Sequence, residues 1–157
     1  MKHRSLKRLF LALAAIFFLL SISGEALSAD LPPVIGTLQK VNGTAAVVRQ
    51  DQILPAKAGL QIQANDTLHT GFDGSIGVVF QDDTLLSLGP DSVLVVDEFV
   101  FAPRQGKLSI VLRMMKGTAV YLSGLIAKLS PDSVRFLTPS ASIGIRGTKF
   151  AVKVDER

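Results

Sequence analysis

The chain has 157 residues, no cysteine, no tryptophan and a formal charge of +4. Without cysteine, it can hold no disulfide, thiolate metal site, thiol redox centre, cysteine nucleophile or lipidated N-terminal cysteine. The surplus charge comes mainly from four basic residues among the first eight, and residues 30–157 carry only +1 (13 Lys and Arg against 12 Asp and Glu). The basic balance is therefore no footprint for nucleic acid, and no basic stripe interleaved with aromatics is present.

Lys2, Arg4, Lys7 and Arg8 precede an uncharged apolar run, residues 9–22, and small residues follow at Gly24, Ala26, Ser28 and Ala29. This is the pattern of a secretory signal peptide. The run of 14 residues is short of the roughly 18–20 that a spanning helix needs. A retained membrane anchor is the alternative. The expected organisation is a cleaved signal peptide helix, residues 1–29, cut near Ala26–Ala29, and one domain of residues 30–157 with no later span.

Beyond residue 30 the apolar residues alternate. In residues 75–81, Ile76, Val78 and Phe80 share one face against Ser75, Gly77 and Gln81. In residues 107–114, Leu108, Ile110, Leu112 and Met114 alternate with Lys107, Ser109 and Arg113. In residues 148–154, Phe150, Val152 and Val154 alternate with Lys149 and Lys153. Period-two alternation predicts half-buried strands, and Phe80 and Leu88 are predicted core residues. Turn signals punctuate the chain at Asn42-Gly43, Asn65-Asp66, Asp73-Gly74, Gly89-Pro90, Pro103, Gly106, Gly117, Pro131-Asp132 and Pro139. Residues 123–132 can form one helical turn, which Pro131 would stop. Residues 89–96 and 130–137 share Pro-Asp-Ser-Val, 41 residues apart, and read as a repeated turn into a strand that favours stacked coils. The expected fold is all-β: a short-stranded β-helix-like (solenoid) or sandwich domain with at most one short helical turn.

The candidate chemistry is sparse. Asp82, Asp83, Asp91, Asp97 and Glu98 offer carboxylates, but Asp82-Asp83 reads as a hairpin turn. Asp97 and Glu98, adjacent in a strand, are expected on opposite faces. No calcium-binding spacing is present. His69 is the one histidine beyond the leader, which leaves a serine triad without a further base choice and zinc without a ligand set. No cofactor or metal is expected. Residues 144–149, Gly-Ile-Arg-Gly-Thr-Lys, lack the spacing and the strand-to-helix context of a phosphate-binding loop. The acceptor-like triplets at Asn42 and Asn65 read as turns. Ile143 and Ile145 lie on odd positions and Phe150, Val152 and Val154 on even ones, so a bulge is expected at Gly147. Arg146 would then project outward with Lys149 nearby. Arg146 and Lys149 are the candidate partner contacts, and Gly74, Gly89, Gly144 and Gly147 the candidate structural glycines.

Residues 54–101, with 106–124 and 138–152, resemble the FecR domain, over roughly residues 36–154. The most specific pieces are residues 66–94 and 138–150. The resemblance implies a periplasmic, all-β, helix-like domain. In founding members that domain belongs to a transmembrane regulator that takes a signal from an outer-membrane TonB-dependent transporter to a cytoplasmic sigma factor. Here eight residues precede the apolar run and no transporter-docking module is recognised, so the sigma-regulating activity is not expected to carry over. The expected function is a non-catalytic periplasmic interaction or sensory module. It would bind an envelope protein through exposed strand edges and turns. Two alternatives are a structural or ligand-binding component of an envelope assembly, or a small envelope enzyme. A single tyrosine and no tryptophan argue against a sugar platform, and the missing His/Cys set argues against an enzyme.

Overall fold

The computed structural model describes residues 32–145 and 149–155. Residues 1–29, where a signal peptide and its cleavage region are expected, lie outside them, as do Arg146 and Gly147. The described chain is predominantly β. Its strands are β1 (Val34–Asn42), β2 (Ala45–Arg49), β3 (Gln52–Pro55), β4 (Gln61–Gln63), β5 (Thr67–Thr70), β6 (Ser75–Phe80), β7 (Leu85–Leu88), β8 (Val93–Ala102), β9 (Lys107–Leu122), β10 (Val134–Leu137), β11 (Ser142–Gly144) and β12 (Lys149–Val154). One short helix, α1 (Leu125–Leu129), stands between β9 and β10. It falls where one helical turn is expected, and Pro131 opens a separate 3₁₀ turn, Pro131–Ser133.

β9 organises the sheet. Its first part pairs with β8 on one side and β10 on the other, from the Val93↔Lys116 and Val134↔Ile110 registers onward. Its last part pairs with β7 and β12, ending at Leu85↔Leu122 and Lys149↔Leu122. From β9 one arm runs through β8, β5 and β2 to β3, and the other through β7, β6 and β1 to β4. Every pairing is antiparallel except β9 with β10. The sheet curls so that its inner faces share one core. Phe80 of β6 stacks on Phe99 of β8 with ring centroids 5.5 Å apart, and both arms contribute to the same apolar cluster.

The alternation read from sequence sets the faces. Ile76, Val78 and Phe80 are buried, as are Leu86 and Leu88 of β7 and Ile110, Leu112 and Met114 of β9. Burying a large side chain of this kind stabilises by roughly 1.5–3 kcal/mol. Two expectations need correction. Asp97 and Glu98 do not take opposite faces: the β8–β9 register slips between Val96 and Glu98, so Val96 and Phe99 are both buried while the two acids stay off the core. The two Pro-Asp-Ser-Val copies are not equivalent layers either. The first enters β8, antiparallel to β9, with Leu94 and Val96 inward; the second enters β10, parallel to β9, with Val134 and Phe136 inward. The shared residues make different turns, one with Asp91 at φ +48° and the other a 3₁₀ turn over Pro131–Ser133, into strands of opposite direction and opposite parity.

Candidate interaction surface at the β11–β12 seam

Gly117 sits within β9 at φ +92°, not in a turn between strands. A Cβ there would lie 2.2 Å from the Ser92 hydroxyl oxygen. That hydroxyl accepts the Thr118 amide at 2.9 Å and faces the Pro90 and Thr118 carbonyl oxygens at 3.1 and 3.2 Å. Thr70 joins the corner, its hydroxyl donating to the Gly89 carbonyl at 2.7 Å and accepting the Ser92 amide at 2.9 Å. Ser92 and Thr70 are fully buried. This hydroxyl network fixes the point at which β9 passes from its β8 and β10 neighbours to its β7 and β12 neighbours.

The same point opens a seam on the other side of β9. β10 leaves β9 at Arg113, and β12 takes it up at Gly117. Between them lies a groove of about 720 Å³. Its floor carries Val93 and Met115, one wall is the 138–141 turn with Ile143, and the other is Val152 to Asp155. Met115 is 46 % exposed. Thr138 holds the turn by accepting the Ala141 amide at 3.0 Å. Phe150 anchors the start of β12, stacked on Tyr121 and edge-on to Phe136, each at 5.2 Å. Past Phe150, Val152 and Val154 pack on the core but remain partly exposed.

β12 pairs with β9 alone and β11 with β10 alone, so among the described residues each has one open edge. On the outer face of the sheet Lys149 is in register with Leu122, which is in register with Leu85. Lys149, Ala151 and Lys153 are exposed. Lys153 pairs with Asp155 at 2.9 Å in solvent, which contributes little.

The buried carboxylates serve the scaffold. Asp82 is fully buried in the β6–β7 turn. It accepts the Thr84 amide and hydroxyl at 3.1 and 2.8 Å and the Ile126 amide at 3.2 Å, and so caps the start of α1 from another element. Asp66, also buried, takes two hydrogen bonds from Arg49 at 2.8 and 2.7 Å and the Gln63 amide at 2.8 Å. That bidentate hydrogen bond raises the Arg49 pKa. Asp97 pairs with Arg113 at 2.7 Å. Burial pushes the Tyr121 hydroxyl up to about 12; Thr84 is close enough to oppose that rise, yet among the described residues the hydroxyl has no hydrogen-bond partner. Among the described residues no three His, Asp or Glu side chains gather as a metal site.

The family model described as FecR protein matches residues 66–157, more than half of the chain. The chain belongs to the FecR family. The match starts at Asp66, later than the resemblance read from residue 36, so β1 to β4 lie before it. A solved structure titled "Cell surface anchoring domain" is 32 % identical over 39 % of this chain and 82 % of its own, with a TM-score of 0.38, too loose a superposition to argue from. No curated protein matches.

In this FecR chain the sequence-named contacts divide. Lys149 is placed at the head of β12; Arg146 and the bulge at Gly147 lie outside the described residues. Gly74 meets a close approach, with a Cβ falling 2.1 Å from the Thr44 carbonyl oxygen. Gly89 has ordinary room, 3.5 Å from Thr118, and Gly144 has nothing within 4 Å. Sequence reading missed Met115, Val93 and the 138–141 turn as one surface. Met115 follows Met114 in an alternating run, and that parity was the available signal that it faces away from the core.

Proposed function

We propose that this FecR-family chain is a non-catalytic interaction or sensory module of the cell envelope, exported by its leader and binding a protein partner at the seam between β11 and β12. The observation that carries the reading is the incomplete cover of the core there. Ile143, Val152 and Val154 pack against the core yet border an open groove beside two open strand edges. Exposed apolar surface next to a free strand edge is a site for a partner. Antiparallel pairing in both arms favours a sandwich-like description of the curled sheet over a solenoid. Family membership supports an envelope location, and among the described residues no helix is long and apolar enough to cross a membrane.

A photo-crosslinking residue at Met115, in the groove, should trap a partner in living cells. The same residue at Phe72, exposed in the β5–β6 turn, should not. Equal trapping at both, or none at Met115, refutes the site. For export, protein recovered from the periplasm should begin between Leu27 and Asp30 by mass spectrometry. An intact Met1 in a membrane fraction would overturn that.

A further inference from the structure

Resting on the interaction reading, we propose that the open edge of β12 binds an extended segment of a partner protein by strand addition, and that this segment alternates acidic and apolar residues.

β12 is suited to receive a strand. Its six residues pair with β9 in unbroken register from Lys149↔Leu122 to Val154↔Gly117, with no bulge and no proline. Of the usual guards of an edge, β12 has neither a bulge nor a proline; it has only charge, in Lys149 and Lys153, which repels a like-charged strand and admits one of opposite charge. An added strand would run about 4.8 Å away, on the side where the groove lies between β12 and the 138–141 turn.

The register dictates the chemistry of the occupant. On an added strand, alternate residues would stand beside Phe150, Val152 and Val154, and of these Val152 and Val154 line the groove with Met115 and Ile143. Those alternate residues of the added strand must be apolar. The intervening ones would stand beside Lys149 and Lys153, on the outer face. Cross-strand neighbours of opposite charge stabilise and like charges destabilise, so carboxylates belong there. Asp155 now supplies one to Lys153 from two residues away, in an exposed ion pair that a better-placed carboxylate can replace. The same rule disfavours a second copy of this chain in the register centred on β12's outward-facing Ala151. Antiparallel pairing of two β12 edges about Ala151 sets Lys149 of each copy opposite Lys153 of the other.

The test uses the protein recovered from cells expressing the full chain and four fluorescein-labelled eight-residue peptides, followed by fluorescence anisotropy. Alternating Val-Glu should bind saturably, and alternating Val-Lys at least about tenfold more weakly. Two further Val-Glu peptides carry backbone N-methyl groups on the valines only or on the glutamates only. One should lose binding and the other keep it, because strand addition uses every second amide of the guest. The K149E/K153E variant, with an unchanged urea midpoint to show that it is folded, should prefer the Val-Lys peptide. Any of the following overturns the proposal: no saturable Val-Glu binding, equal binding of both charges, an unaltered preference in the charge-swapped variant, two N-methylated peptides that bind alike, or a wild-type dimer that dissociates in that variant. If the peptides fail while Met115 still cross-links a partner, strand addition falls and the interaction site stands. If both fail, both fall.

Discussion

β6 and β12 are both six residues long and each turns three large alternating apolar residues to one face: Ile76, Val78 and Phe80 in one, Phe150, Val152 and Val154 in the other. The first three are each 2 % exposed; the second three all remain partly open. The difference lies in the neighbours. β6 is held between β1 and β7 and is covered by Phe99 from the opposite face, whereas β12 has β9 on one side and a groove on the other. Alternation identifies the face that seeks cover, and only topology decides whether cover is supplied.

The largest expected effect is in the covered strand. Phe80→Ala should destabilise the domain by about 3–5 kcal/mol, read as a lower urea midpoint. A midpoint unmoved from wild type would mean that β6 is not a core strand. Next comes the corner that separates the two environments. Gly117→Ala must accept φ +92° and a clash with Ser92, for about 1–3 kcal/mol. Gly144→Ala, with open space around it, should stay within about 0.5 kcal/mol; equal losses at the two positions would refute the geometry of the corner.

Tyr121 gives a pH-dependent measure of the same boundary, since it lies beneath Phe150. Its folded pKa is raised to about 12, against about 10 when unfolded. The neutral phenol is therefore favoured in the native state. This contribution is fully present below pH 10 and is lost as pH rises from about 10 through 12. Tyr121→Phe should flatten the fall in stability across that window, and an identical alkaline profile in the two proteins would contradict it. The smallest effect should come from the open strand: Val152→Ala should destabilise by about 1 kcal/mol or less. A loss as large as that at Phe80 would show that something within the chain already covers β12.

Much of the fold is legible in the residues. The alternating runs place Phe80, Leu88 and Leu112 inside, and Pro131 stops α1 where a proline must. What escaped was nonlocal. Gly117 has the composition of a turn, and nothing near it in sequence says that Ser92 waits where its side chain would be. Asp82 reads as a hairpin residue, which it is, but its second task is to meet the Ile126 amide, 44 residues on. Asp66 reads as half of an Asn-Asp turn, while its bidentate partner Arg49 lies on β2. The candidate site shared this difficulty. Lys149 stands out on a short alternating strand, but Met115 and the 138–141 turn come together only because β10 and β12 meet β9 at different points.

That arrangement of β9 also governs the order in which the chain can be finished. Two of its partners, β7 and β8, are synthesised before it, and two, β10 and β12, after it, the last ending at Val154. β9 cannot complete its pairing until Val154 has been made, and pairing over such separations is slow. The matched stretch of residues 66–157 contains β9 with all four partners. A fragment cut there would nevertheless strip β2 from β5, β1 from β6 and Arg49 from Asp66. It would meet solvent with two newly bared edges, both available for misassembly during a slow search. The boundary of family likeness is therefore not a place to cut the chain.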